Sequence, residues 1–280
     1  MAKNEIRINI TGDTTRFGGA LDKAQTKMAA FSAKMKAVGA KMKSVGKSMS
    51  LGITLPIVGA LGLGVKWAGE LEDAQAASEQ VFGAMASDMD KWADNAAKNF
   101  GLSKGDATEW AAQVGIRLKS IGGMSEEAAA GWSQNLVQLG GDFASFFGGT
   151  TEEAVTAINS ALTGEMEPLK RYGVIINDAS LKAHILATTG EEVTGTLTAQ
   201  QKQMATLGLI TASTGDIQGD YARNADGATN AQRTMTASLK DAATTLGTVL
   251  LPYVTKAVGF VTKLAEKFQN LSPNIQKFAV

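Results

Sequence analysis

"TTEEAVTAINSALTGEMEPLKRYGVIIN", Thr150 to Asn177, holds a helix start, a helix stop and a charged turn in one short span. Thr150 is a hydroxyl cap placed ahead of Glu152 and Glu153, the residue order that opens a helix. The later part, "LTGEMEPLKRYGV" (Leu162–Val174), sets two carboxylates, a proline, two cations and a tyrosine between two apolar runs. An active-site loop, a docking element and a plain turn all use such residues. "YGVIIN" (Tyr172–Asn177) is short and β-prone. The stretch therefore predicts a helical fold with a small β addition, and the rest of the chain agrees.

The 280 residues suffice for one large domain or two small ones. Only 6% are aromatic, so a core must lean on Ala, Leu, Val, Ile and Met, which suits closely packed helices. Cysteine is absent, which excludes disulfides and thiolate metal sites, and a single histidine, His184, cannot build a zinc site alone. The N-terminus lacks the apolar core and cleavage site of a secretory signal. Net charge is zero but unevenly spread. Residues 1–48 carry ten Lys/Arg against three Asp/Glu, and residues 49–160 carry six against fourteen. A basic arm precedes an acidic body.

"IRINI" (Ile6–Ile10) alternates like a half-buried strand. Beyond it, Leu21, Ala24, Met28, Phe31, Met35, Val38, Met42, Val45 and Met49 fall at alternating steps of three and four. This seam predicts a rod of roughly 40 Å. Its g positions, Lys27, Lys34 and Lys41, have no acidic e partners, so a charge-zipped dimer is not expected. The lysines must face water or an acidic surface. Leu21, Met28, Phe31, Met35, Val38, Met42 and Val45 are the candidate self-association seam. Ser48–Val65 then carries no charge. Eighteen residues is the lower edge of a membrane span, yet four glycines and Pro56 favour a buried or partner-facing segment. The alternative function is a membrane-active helical protein that inserts 48–65 into a bilayer.

Hydroxyl caps at Ser103, Ser125 and Thr150 start helices through the body. Gly101, Gly122-Gly123, Gly140-Gly141 and Gly148-Gly149 are the expected stops. Trp67, Trp92, Trp110 and Trp132 are expected core anchors. After Pro168 come β-prone "YGVIIN" and "EEVTGTLT" (Glu191–Thr198), with "TAQQ" (Thr198–Gln201) opening another helix. A last helix runs from about Ala228 to Leu271, with Pro252 expected to kink or split it. The expected fold is thus mainly α. It has an N-terminal heptad helix, a compact multi-helix body, short strands near 6–10, 172–177 and 191–197, and a long C-terminal helix. The expected divisions are 1–48, 49–66, 67–225 and 226–280. The chain ends as a new apolar run begins, which reads as a cut end.

Chemistry finds little purchase. "GKS" (Gly46–Ser48) lacks the glycine a phosphate loop requires five residues earlier, where Lys41 stands. "GALGLG" (Gly59–Gly64) has no leading strand. Glu165 and Glu167 beside Lys170 and Arg171 read as a solvated, self-neutralising turn. No nucleophile, base and orienter set is visible, so no enzyme, catalytic residue, cofactor or metal is expected.

"GDFASFFGGTTEEAVTAINSALTGEMEPLKRYGVIIND" (Gly141–Asp178) closely resembles the core region of phage tail tape measure proteins. "GDYARNADGATNAQRTMTASLKDAATTLGTVLLP" (Gly219–Pro252) resembles that family's next block, and "LPIVGALGLGVKWAGELE" (Leu55–Glu72) its glycine-rich apolar segment. Asn224 departs from the usual threonine or serine after "AR". The resemblance covers roughly Met49 to Leu271 and implies the N-terminal part of a longer tape. It implies a virion structural protein of the tail lumen, assembled in the bacterial host cytoplasm, that templates tail-tube assembly and length and aids genome delivery. It further implies a homo-oligomer, trimer or hexamer. Its partners would be the tail tube protein, tail assembly chaperones, distal tail or tip proteins, and transiently the host membrane, with no sequence-specific nucleic acid. On this resemblance Gly164 caps a helix, Pro168 fixes the turn beside Leu169, and Gly173 frees the backbone. Glu165, Glu167, Lys170 and Arg171 then present a polar docking edge.

Overall fold

The computed structural model describes residues 57–269. In chain order these form α1 (Ile57–Phe82), a 3-10 turn (Gly83–Met85), α2 (Ala86–Ala93), α3 (Ala96–Phe100), α4 (Lys104–Ser120) and α5 (Glu126–Phe147). There follow α6 (Thr151–Leu162), a 3-10 helix (Glu167–Tyr172), α7 (Asp178–Thr189), α8 (Ala199–Ser213), α9 (Asp220–Arg223) and α10 (Ala228–Gln269). The fold is mainly helical, and no strand occurs among the described residues. The expected strand at 6–10, the seam Leu21, Met28, Phe31, Met35, Val38, Met42 and Val45, and residues 48–56 lie outside them.

Two compact units divide the chain at 65/66 and 244/245. The described part of the smaller unit is Ile57–Val65 with Thr245–Gln269. Here Gly64 and Gly247 let two helices touch through their backbones. A Cβ on Gly247 would overlap the Gly64 carbonyl and stand 2.7 Å from the Val65 nitrogen. Pro252 lies inside α10, and the helix passes through it undivided. No described helix is long and apolar enough to cross a membrane.

The larger unit, Lys66–Thr244, is built around α5. α5 packs against α4, α6, the short α3 and α9, and buries Ala129, Ala130, Leu136, Val137, Leu139, Phe143 and Ala144. Side chains this small allow close axes, and the core is completed by Phe82, Phe100, Leu118, Val155, Ile158, Leu169 and Tyr172. The hydroxyl caps act as expected. Ser103, Ser125 and Thr150 accept from the third residue inside α4, α5 and α6, and Thr150 and Thr198 complete reciprocal capping boxes with Glu153 and Gln201.

Four expectations change. Gly140 and Gly141 do not stop a helix; α5 runs on to Phe147 because both glycines serve close packing. A Cβ on Gly140 would strike Val155 of α6, and one on Gly141 would strike Phe100 of α3. The strands at 172–177 and 191–197 are not strands. Val174 and Ile176 are buried while Ile175 is exposed, so the two-residue alternation is real. The chain packs into the helical core, however, and among the described residues there is no neighbouring strand to pair with. Residues 191–196 are irregular, with a bend at Gly195, and largely exposed; Val193 is partly buried and Leu197 buried. Trp92, Trp110 and Trp132 line the rim of the core half-buried, and Trp67 instead lies under the Lys240 ammonium at 5.7 Å.

Candidate functional site

The charged turn is closed by hydrogen bonds that begin at the end of α6. The Glu165 amide donates to the Ser160 carbonyl and the Gly164 amide to that of Ala161, each at 3.0 Å. With Gly164 at φ 105°, this is a Schellman closure. Pro168 sits at the start of the 3-10 helix Glu167–Tyr172, where its missing N–H costs nothing. Gly173, at φ 73°, ends that helix, and the Val174 amide donates back to the Leu169 carbonyl at 3.2 Å. Leu169 and Tyr172 face inward and are buried. Glu165, Glu167, Lys170 and Arg171 face outward.

An aromatic stack holds the inner face. The Tyr172 ring lies nearly parallel to Phe143 of α5, centroids 4.8 Å apart, and Phe147 meets both edge-on. Outside, Lys170 pairs with Glu167 at 2.7 Å, and Arg171 reaches Glu153 of α6 at 3.3 Å while covering the Tyr172 ring at 5.7 Å. The structure thus brings Glu167 to Lys170 and Arg171 to Glu153. These pairs lie along an exposed edge, next to Phe146 and Phe147 at the end of α5.

The sequence reading missed a second constellation. Asp142, buried in the middle of α5, accepts the Gly219 amide at 2.8 Å and the Tyr221 amide at 2.9 Å, one on each carboxylate oxygen. It acts as an external cap on α9. Around it, Ser145 donates to Asp220 at 2.6 Å, and Asn230 donates to Ser145 at 2.8 Å. The Tyr221 hydroxyl donates to the Asn230 carbonyl at 3.1 Å, and Arg233 donates to the carbonyls of Ala144 and Gly149. Burial pushes the Asp142 carboxyl above the usual carboxylate range, against the pull of the two amides, and the Asp220 charge adds to the rise. The signal was in plain view: an aspartate inside "LVQLGGDFASFF", where exposure is not expected.

A third set fastens the start of α4. The Lys104 amide donates to Asp241 of α10 at 2.7 Å, while the Lys104 ammonium holds Asp90 at 2.8 Å and Asp94 at 2.7 Å. Lys240 pairs with Asp106 at 2.6 Å. Burial raises the Asp241 carboxyl to about 6, the neighbouring Asp106 adds to this, and Lys104 and Lys240 oppose it. The folded value lies above the unfolded one, so this group favours the folded state at acid pH. That contribution disappears as pH rises through about 6. Asp241→Asn keeps an oxygen for the Lys104 amide. It is expected to be the more stable form at pH 8 by roughly 1–2 kcal/mol after solvent screening, and to lose the advantage at pH 4. Urea midpoints of both proteins across that range check the sign.

The cleft of about 420 Å³ between the starts of α4 and α6 and the α10 face is lined by Asp106, Thr150, Glu152, Arg233 and Lys240. Its cations are committed, Lys240 to Asp106 and Arg233 to backbone carbonyls. Among the described residues no group of three His, Cys, Asp or Glu converges on a metal position. His184 packs its imidazole edge on Gly208 of α8.

The chain matches no family model, no curated protein and no solved structure.

Within the larger unit, Gly141–Asp178 and Gly219–Thr244, separate in sequence, are joined through Asp142 and its neighbours, and the charged turn is a corner with a polar outer edge.

Proposed function

We propose that this chain is the N-terminal portion of a phage tail tape measure protein. In this reading it is a structural component of the tail lumen that templates assembly and length of the tail tube and performs no chemical step. The supporting observation is the use made of the charged turn. Glu167 pairs with Lys170 and Arg171 with Glu153, Glu165 points to solvent, and Leu169 and Tyr172 go into the core. None of them converges on a reacting centre. The body is then an assembly module, with Glu165, Glu167, Lys170 and Arg171 as the docking edge. The basic heptad arm associates copies or meets an acidic surface of the tube. Tail tube protein, assembly chaperones and distal tail proteins are the partners this reading requires.

Mass spectrometry of purified tails from the phage encoding the chain is expected to find its peptides, and an in-frame deletion of the gene is expected to abolish tails of normal length. Normal tails from the deletion strain would end the proposal. A finer test separates docking from folding. Lys170→Ala with Arg171→Ala is expected to move the melting temperature by no more than about 2 °C, because exposed ion pairs contribute little. The same variant is expected to lower tail yield about tenfold, the effect of losing roughly 1.4 kcal/mol of docking energy.

A further inference from the structure

Two neighbouring helices of the core each bury polar side-chain atoms that no protein group satisfies. The Ser133 hydroxyl of α5 is fully buried, and Asn159 of α6 is only 5% exposed. Neither Ser133 Oγ nor either amide atom of Asn159 has a hydrogen-bond partner among protein groups. Their register places them on the same interface. A three-residue connection (148–150) makes α5 and α6 antiparallel neighbours, and Gly140 packs on Val155. Ser133 lies two turns before Gly140 on the same face of α5, and Asn159 lies one turn beyond Val155 on α6. Both positions therefore follow the Gly140–Val155 contact toward the same end of the interface. The next α6 carbonyl on that course, Leu162, is already taken by the Gln203 amide at 3.3 Å.

We infer that the α5–α6 interface binds ordered water shared by Ser133 and Asn159. A primary amide needs both an acceptor and a donor, and a hydroxyl supplies either. One water, or two in file, meets both demands and spans one helical turn, as internal waters in proteins commonly do. An aliphatic pair would have packed these helices without such an arrangement, so the polar atoms define a hydration site.

The test uses the full chain. In solution NMR, the Asn159 side-chain amide protons are expected to show an Overhauser effect to water with a residence time beyond nanoseconds, and a crystal structure is expected to place a water within about 3.2 Å of Asn159 Nδ2. A double-mutant cycle on Ser133→Ala and Asn159→Leu supplies an independent reading. A shared water makes each single change unfavourable, since it strands the other group. The double variant should then retain a folding constant at least fivefold above the product of the single effects. If both single changes stabilise and add, and neither water signal appears, the interface is dry and the inference is wrong. A direct protein partner for both Asn159 amide atoms in the crystal would also overturn it.

Discussion

Asp142→Ala is expected to lower the melting temperature by about 6–12 °C, the equivalent of roughly 2–4 kcal/mol for a domain of this size. The carboxylate occupies two amides of the 219–221 turn, and alanine leaves both without an acceptor beside buried Tyr221. A hydrogen bond to a charged group contributes about 1.5–3 kcal/mol, and an unsatisfied buried amide costs about 1–3. The two losses do not add in full. Burial already penalises the Asp142 charge, so removing it returns part of the cost. Asp142→Asn retains one acceptor and should lose about half as much. The damage should also be local at first. Hydrogen exchange at the Gly219 and Tyr221 amides is expected to accelerate more than exchange in α4. A shift below about 2 °C with those amides still protected would show that α9 does not depend on this side chain.

The second large effect comes from adding one methyl group. A Cβ on Gly141 would stand 3.0 Å from the Phe100 α-carbon and 3.1 Å from its carbonyl oxygen, as well as meeting its Cβ. These are backbone atoms and cannot rotate away, so α3 and α5 must separate. Gly141→Ala is therefore expected to cost about 2–4 kcal/mol by overpacking. Gly131, in the same helix, has nothing within 4 Å of its hypothetical Cβ and is exposed. Gly131→Ala should stabilise by about 0.5–1 kcal/mol through helix propensity alone. One substitution type with opposite signs ten residues apart isolates contact from propensity. Denaturant midpoints of the two variants decide it. Equal effects would mean that α5 does not approach α3 as closely as described.

Local signals carried most of the helical architecture. Thr150 with Glu153 and Thr198 with Gln201 announce their helices through side chains three residues apart, and a reader of sequence needs nothing more distant. Gly164 and Gly173 are legible for the same reason. The errors share one cause, dependence on a partner far along the chain. "GG" at 140–141 resembles a helix stop until Phe100 and Val155 are known to press on it. "VII" at 174–176 has the alternation of a strand, but a strand is defined by its neighbour, and helices supplied the burial instead. Asp142 stayed unassigned because the amides it serves lie 77 and 79 residues away. The charged turn was legible as a corner, whereas its bond to Glu153 and its seat on Phe143 were not.

Glu191 to Thr196 form a largely exposed, irregular loop. It is the natural place to cut the larger unit, since among these six residues only Val193 packs against the core. A nicked molecule would keep α8 in place, because Gln203 reaches the carbonyls of Arg117 and Leu162 on the other side of the break. Two separately produced fragments, divided there, should find each other and rebuild the same interior, which makes this body a ready split reporter of its own assembly.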